Sequence, residues 1–220
     1  MKSKIVATLF QEYTDFEIID KVVGGETKLF EVLIRRNNAA LYKIGRSYRY
    51  NHHDTEDLMQ EAYIAAFYSL PKFEKRSSFK TWLSRVMINL CYQKKQRSSF
   101  KNETPLENNE IGKVVPMFQQ PSTMETPVNK ELGRVLENAI SKIPEDYRIV
   151  FTLRELNGLS ISETTEALQI SESNVKVRLN RAKKMLRTEI EKMYAPEDIF
   201  EFNLIYCDRM VQTVMNKILN

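Results

Sequence analysis

Cysteine, histidine and glycine are scarce in this 220-residue chain, at two, two and six copies. Cys91 and Cys207 stand far apart, each within a helix-like pattern. That spacing excludes a disulfide framework or a cysteine-based zinc cluster and fits a reducing, cytoplasmic setting. His52 and His53 are adjacent, so their side chains point in different directions, and they read as surface or capping groups, with no metal expected. With few glycines and no run of alternating β-branched residues, nothing defends a strand. A Ser-His-Asp pattern, a phosphate-cradling glycine loop and paired catalytic carboxylates are also missing, so neither an enzyme nor a cofactor is expected. No apolar run is long enough for a membrane span, and the opening segment MKSKIVATLFQEYTDFE has no signal-peptide plan. Membrane insertion is not expected.

What is present is charge and helical periodicity. Charged residues make up 28% of the chain and apolar ones 42%, enough to bury real cores. The net charge of +4 is modest, so the placement of charge matters more than its sum. Between Lys72 and Lys101 the cations Lys72, Lys75, Arg76, Lys80, Arg85, Lys94, Lys95, Arg97 and Lys101 face a single acid, Glu74. Between Ser171 and Arg187 the cations Lys176, Arg178, Arg181, Lys183, Lys184 and Arg187 face only Glu172. Two concentrated positive patches are the electrostatic footprint of nucleic-acid binding.

Apolar residues recur at three- and four-residue intervals from Phe16 to Tyr50, interrupted by Gly24-Gly25. A second helix is predicted from an Asp54 cap to Leu70, stopped by Pro71, and a third from Phe79 to about Arg97. Four of the seven prolines then fall between Ser98 and Val128, in a polar stretch with no sustained period. This reads as an extended, mobile linker. Helical pattern resumes at Leu132 and persists to Tyr194, with Pro144 at a start, Gly158 at an end, and Ser160 and Glu163 in capping-box relation. Ser171 can cap the next helix. After Pro196, Phe200, Leu204, Cys207, Val211, Val214 and Ile218 form one more apolar stripe, which must bury against a domain or a regulator. The expected fold is all-α: two small helical domains (1–97 and 132–194), a flexible linker (98–131) and a helical tail (195–220).

On the helix after Ser171, Val175, Leu179, Ala182 and Leu186 lie in one narrow arc and form the buried stripe. The opposite arc presents Ser173, Lys176, Val177, Asn180, Arg181 and Lys184, a donor-rich set suited to the major groove. Arg178 and Lys183, on the flanks, suit phosphates. A solvated basic face is the plain alternative.

The segment PEDYRIVFTLRELNGLSISETTEALQISESNVKVRLNRAKKML resembles region 4 of the extracytoplasmic-function (ECF) sigma factors of bacterial RNA polymerase. The resemblance implies that this helix reads the −35 promoter element, with Ser173, Asn174, Lys176, Val177, Arg178, Asn180, Arg181 and Lys184 at the DNA. Three positions depart from the family pattern. Thr164 and Thr165 stand where Ile-Ala is usual, and Gln169 replaces a turn glycine. A buried hydroxyl needs a partner, and Gln in a left-handed turn costs about 1 kcal/mol relative to Gly.

DTEDLMQEAYIAAFYSLPKF, followed by SSFKTWLSRVMINLCYQKKQR, resembles region 2 of the same family. Asp57, Gln60, Glu61 and Ile64 share one helix face opposite the apolar stripe. The resemblance makes that face the dock for the clamp helices of the polymerase's largest subunit; alone, it reads as a solvated acidic face. Opening DNA needs cations plus aromatic surfaces that hold an unstacked base. Phe73, Lys75, Arg76 and Phe79 offer these near the loop, and Asn89, Tyr92, Gln93, Lys95 and Arg97 along the helix, for the −10 element. Trp82 reads as core, since Phe79 and Val86 beside it are apolar.

The resemblance implies a non-enzymatic specificity subunit that binds core RNA polymerase, recognises −35 and −10 elements and promotes DNA opening. Its implied partners are the clamp helices, the polymerase flap region for the C-terminal domain, promoter DNA and an anti-sigma factor. Two other classes stay open: a self-sufficient helix-turn-helix regulator, and an RNA-binding adaptor.

Overall fold

The computed structural model describes residues 13–101, 127–192 and 204–219, and among them every regular element is a helix. Helix α1 (Asp15–Val23) starts at a capping box in which Glu17 takes the Thr14 backbone N–H at 2.7 Å. It buries Ile18, Ile19 and Val22 and stops at the glycine pair, where Gly25 adopts a φ of +110° that side-chain-bearing residues avoid. A 3₁₀ turn, Thr27–Leu29, leads into α2 (Phe30–Ser47). Helix α3 (His52–Ser69) begins two residues before the expected Asp54 start, because Asn51 supplies the cap and accepts the Asp54 N–H at 2.8 Å. Pro71 ends it inside a 3₁₀ turn, Leu70–Lys72.

Helix α4 (Phe79–Lys101) packs against both α2 and α3. Their close crossing needs Gly45, since a Cβ there would sit 2.6 Å from Thr55 Cγ2 and 3.1 Å from Met87 Cε. The buried side of α4 is broader than the expected stripe. Leu83 and Cys91 are buried as anticipated, but so are Phe79, Thr81, Ser84, Met87 and Ile88. The reason lies in the C-terminal half, which covers a second side of this helix.

That half begins with α5 (Pro127–Lys142) and α6 (Glu145–Phe151), the latter started by Pro144. Both α4 and α5 run past the expected linker edges, and the linker residues between them, 102–126, lie outside the described ones. Helix α6 widens into a π turn (Thr152–Leu156), and Gly158 breaks it with a φ of +72°. Helix α7 (Ile161–Leu168) carries the Ser160–Glu163 capping box. Gln169 then turns the chain in the left-handed conformation (φ 54°, ψ 43°) into α8 (Glu172–Glu191), capped by Ser171. Of the two threonines noted on α7, Thr164 is buried and donates to Ser160 O at 2.8 Å, whereas Thr165 Oγ1 is buried without a partner.

Helix α7 lies against α4, and α6 with its π turn lies against α2. Ile149, Leu153, Leu159 and Ala167 join the same apolar core as Leu33, Leu41, Ile44 and Leu83. A smaller cluster, Ile140, Phe151 and Ala182 with Tyr147, Leu156, Leu179 and Leu186, secures α8. Polar groups seal the boundary. Asn157 Nδ2 donates to Ala40 O at 3.0 Å, and Lys43 Nζ to Leu156 O at 2.9 Å. Arg148, 2% exposed, donates through Nε to Ser47 O and through Nη1 to Ile143 O. Burial, with Arg49 nearby, pulls its guanidinium down to about 10, so it remains charged at neutral pH.

Tail helix α9 (Leu204–Leu219) forms where the stripe predicts it. Met210, Val211, Val214, Met215, Ile218 and Leu219 are exposed on it, so the expected packing onto a domain is not found for these residues. No helix among the described residues is long and apolar enough to cross a membrane.

Candidate nucleic-acid interface

Ser171 accepts the Asn174 N–H at 3.3 Å, fixing where α8 starts and therefore which side chains face out. Val175 and Ala182 are fully buried, with Leu179 and Leu186 packed beside them. Against that anchored stripe, Ser173, Lys176, Val177, Asn180, Arg181 and Lys184 are all exposed, and Asn174 is half-buried. Val177 is 47% exposed, an apolar side chain held in water among donors. Arg178 is half-buried and pairs with Asp146 at 3.4 Å, while Arg181 Nη1 reaches Tyr147 Oη at 3.4 Å. Asp146 and Tyr147 sit in the first turn of α6. They are orienting partners that sequence reasoning missed, because nothing in spacing along the chain brings α6 to α8. The flanking Lys183 pairs with Glu155 at 2.9 Å.

The second patch divides in two. Around the loop, Phe73 is half-buried in an aromatic box, its ring centroid 4.9 Å from Trp82, 6.2 Å from Phe79 and 6.3 Å from Phe16. Lys75 takes a positive φ of 57°, a strained choice for a residue with a side chain, and its ammonium meets Asp20 and lies over Phe16. Arg76 extends into solvent beside Glu74, 2.7 Å away. Phe79 is a correction: at 1% exposed it belongs to the core and is not available to a base. Trp82 is partly buried against the same core, in keeping with its reading as a packing residue. Along α4, Asn89, Tyr92, Gln93 and Arg97 are exposed in a row, whereas Lys95 is bound to Glu145 of the other half at 2.8 Å.

On α3, Asp57, Gln60, Glu61 and Ile64 are exposed on a common face. Tyr68, 76% exposed, extends the row by one turn beyond Ile64, which is 59% exposed. Its spacing from Ile64 was the available signal, and it went unread. The histidines sit at the start of the same helix. His52 contacts Tyr42 Oη at 3.0 Å, and His53 lies 3.8 Å from Asp57. Among the described residues no three potential ligands gather to hold a metal.

Residues 33–100 match the family model of sigma-70 region 2, and residues 133–186 that of sigma-70 region 4. An ECF RNA polymerase sigma-E factor from Haemophilus influenzae is 31% identical over 196 residues, covering 83% of this chain and 98% of that protein. The chain belongs to the ECF sigma factor family. A second sigma-E factor, from Escherichia coli K12, is 28% identical over 189 residues, covering 83% of this chain and 97% of its own. In fold, the chain is similar to CnrH in its complex with the cytosolic domain of CnrY, at a TM-score of 0.59, 22% identity, and coverage of 81% and 97%. RpoE of Bartonella quintana, solved with the anti-sigma factor NepR, matches at 0.58 and 19% identity, covering 74% of this chain and 96% of that one.

As an ECF sigma factor the chain is a non-enzymatic initiation factor that recognises promoters for RNA polymerase. Region 2 of this ECF sigma factor holds most of α2, all of α3 and most of α4, and region 4 ends within α8. Tail helix α9 lies beyond both matched regions.

Proposed function

We propose that α8 reads the −35 element, that the Phe73–Ser78 loop and the outer row of α4 hold the −10 element during opening, and that the Asp57–Ile64 face docks on the clamp helices of core polymerase in the cytoplasm. The observation that carries this is the two-sidedness of α8. One arc is locked into a core, and the other presents Lys176, Asn180, Arg181 and Lys184 to solvent. Arg or Lys can bond guanine O6 and N7, and Asn can bond adenine N6 and N7, each good pair discriminating by roughly 1–3 kcal/mol. Arg178, tied to Asp146, suits a phosphate, which positions without specifying. Val177 can meet a thymine methyl from its exposed place.

For the −10 element, exposed Tyr92 offers a stacking surface and solvent-facing Arg76 a cation that can exchange Glu74 for a phosphate, while Phe73 holds the loop to the core. Here the loop side chains choose the base. RpoE of Bartonella quintana is bound by an anti-sigma factor in its complex, and a regulator of that kind is a partner of this chain as well.

Transcription in vitro with purified core polymerase and a randomised promoter library tests the reading. Polymerase-dependent initiation that enriches a two-block motif is expected, with output falling steeply as salt rises. Initiation at no template, or tight operator binding that needs no polymerase, overturns it.

A further inference from the structure

We propose that α1 sets the shape of the −10 loop: Asp20 and Phe16 grip the Lys75 side chain and hold the loop backbone in its left-handed turn. The link to base choice rests on the promoter reading above; the grip itself rests on geometry alone.

Helix α1 ends at Val23, and the match to region 2 begins only at residue 33. The helix is nonetheless a fixed part of the body. Ile18, Ile19 and Val22 are buried beneath it, and Asp15 pairs with Arg36 of α2 at 2.6 Å. With that side anchored, Phe16 and Asp20, one turn apart, share the outer face. Lys75 arrives at this pair of residues from the loop. Its ammonium pairs with the Asp20 carboxylate and lies 5.9 Å from the centre of the Phe16 ring. The same ring lies 6.3 Å from Phe73, whose own ring rests on Trp82 at 4.9 Å.

The loop is pinned at both ends. The Phe73 N–H donates to Leu70 O at 3.0 Å, and Ser78 Oγ accepts the Thr81 N–H at 3.1 Å. Between these anchors Lys75 turns at a φ of 57°, a region that a residue with a Cβ enters only at a cost. Glycine would turn there freely, yet the position carries lysine. Glu74, the loop's own acid, lies 2.7 Å from Arg76, so the carboxylate that meets Lys75 comes from α1. An exposed ion pair holds a long side chain weakly by itself. The aromatic face of Phe16 and the rigidity of α1 strengthen this one.

The consequence is preorganisation. A loop already in its working shape meets the bases without a further ordering cost, and loss of the grip lowers the fraction of chains ready to bind. A mismatched −10 block gains nothing from a preformed loop, so the loss falls on the matched one. Asp20 and Phe16 are positioning residues, and Lys75 directs its charge at α1 rather than at DNA.

The test uses the full chain with core polymerase and templates that share one −35 block and carry a randomised −10 block. Asp20→Ala should lower discrimination between enriched and shuffled −10 blocks about fivefold, with dependence on the −35 block unchanged. Asp20→Glu keeps the carboxylate and should restore most of it. Lys75→Ala should also lose about fivefold, and Lys75→Gly less than half as much, because glycine turns there unaided. A second measurement needs no polymerase. Cleavage after Lys75 by a lysine-specific protease should be about fivefold faster in Asp20→Ala, with cleavage at other lysines and thermal unfolding unchanged. A cleavage rate unmoved by Asp20→Ala overturns the grip. Discrimination unmoved by Asp20→Ala, or equal losses from Lys75→Ala and Lys75→Gly, overturns the positioning role; the second result makes the ammonium a DNA contact. A wild-type chain that enriches no −10 block, while Asp20→Ala still speeds cleavage, removes the promoter reading and leaves the grip standing.

Discussion

Thr81 Oγ1 donates to Glu163 Oε1 at 2.9 Å, joining the first turn of α4 to the first turn of α7 across 82 positions of sequence. The same carboxylate accepts the Ser160 backbone N–H at 2.8 Å through Oε2, so one side chain caps a helix and ties two halves together. These hydrogen bonds, the Ser160 backbone N–H first, hold the Glu163 carboxyl below the usual carboxylate range.

Glu163→Ala is expected to cost about 1–2 kcal/mol of stability at neutral pH, from the lost cap and the lost shared acceptor of the Ser78 and Thr81 hydroxyls. Because the folded carboxyl titrates lower than the unfolded one, its contribution is full above the ordinary carboxylate range. It is lost as pH falls through the lowered folded value. Urea unfolding of wild type and Glu163→Gln should therefore differ most near neutral pH and converge as pH falls through the lowered folded value. A gap that widens on acidification would contradict the assignment.

Arg181→Ala should weaken recognition of upstream promoter sequence by about 1–3 kcal/mol, with little change on a scrambled −35 block. Equal losses on every sequence would reduce Arg181 to a phosphate contact. Tyr147→Phe, which removes only the hydroxyl near the guanidinium, should weaken the same discrimination by less than about 1 kcal/mol. Fluorescence anisotropy on paired promoter duplexes reads both.

Asp57→Ala with Gln60→Ala should impair association with core polymerase and leave thermal unfolding unchanged, since both side chains are exposed. Tyr68→Ala extends the test by one helical turn. A docking face that continues past Ile64 predicts a further loss, and normal association by all these variants would remove the assignment of this face.

Burial pushes the Cys91 thiol up to about 12. In a Cys207→Ser chain, a disulfide reagent at neutral pH should therefore react only as fast as the protein unfolds. Rapid stoichiometric labelling of the native chain would show that α4 is not packed as described.

Periodicity, caps and turn residues act over a few positions, so the amino-acid order alone determined the helices, their caps at Ser160 and Ser171, the left-handed Gln169 and the anchored stripe of α8. Residues a few positions apart on a helix must share a face, whatever surrounds them. Tertiary structure decided everything that depends on which surfaces meet. Phe79 looked available to DNA and is buried because α4 is covered on two sides; Lys95 looked like a free cation and is held by Glu145. Asp146 and Tyr147 came to Arg178 and Arg181, and Glu163 to Thr81, only through the docking of α6 on α8 and α7 on α4. Such contacts join distant parts of the chain through shape and unpaired helix ends, and neither leaves a period in the sequence.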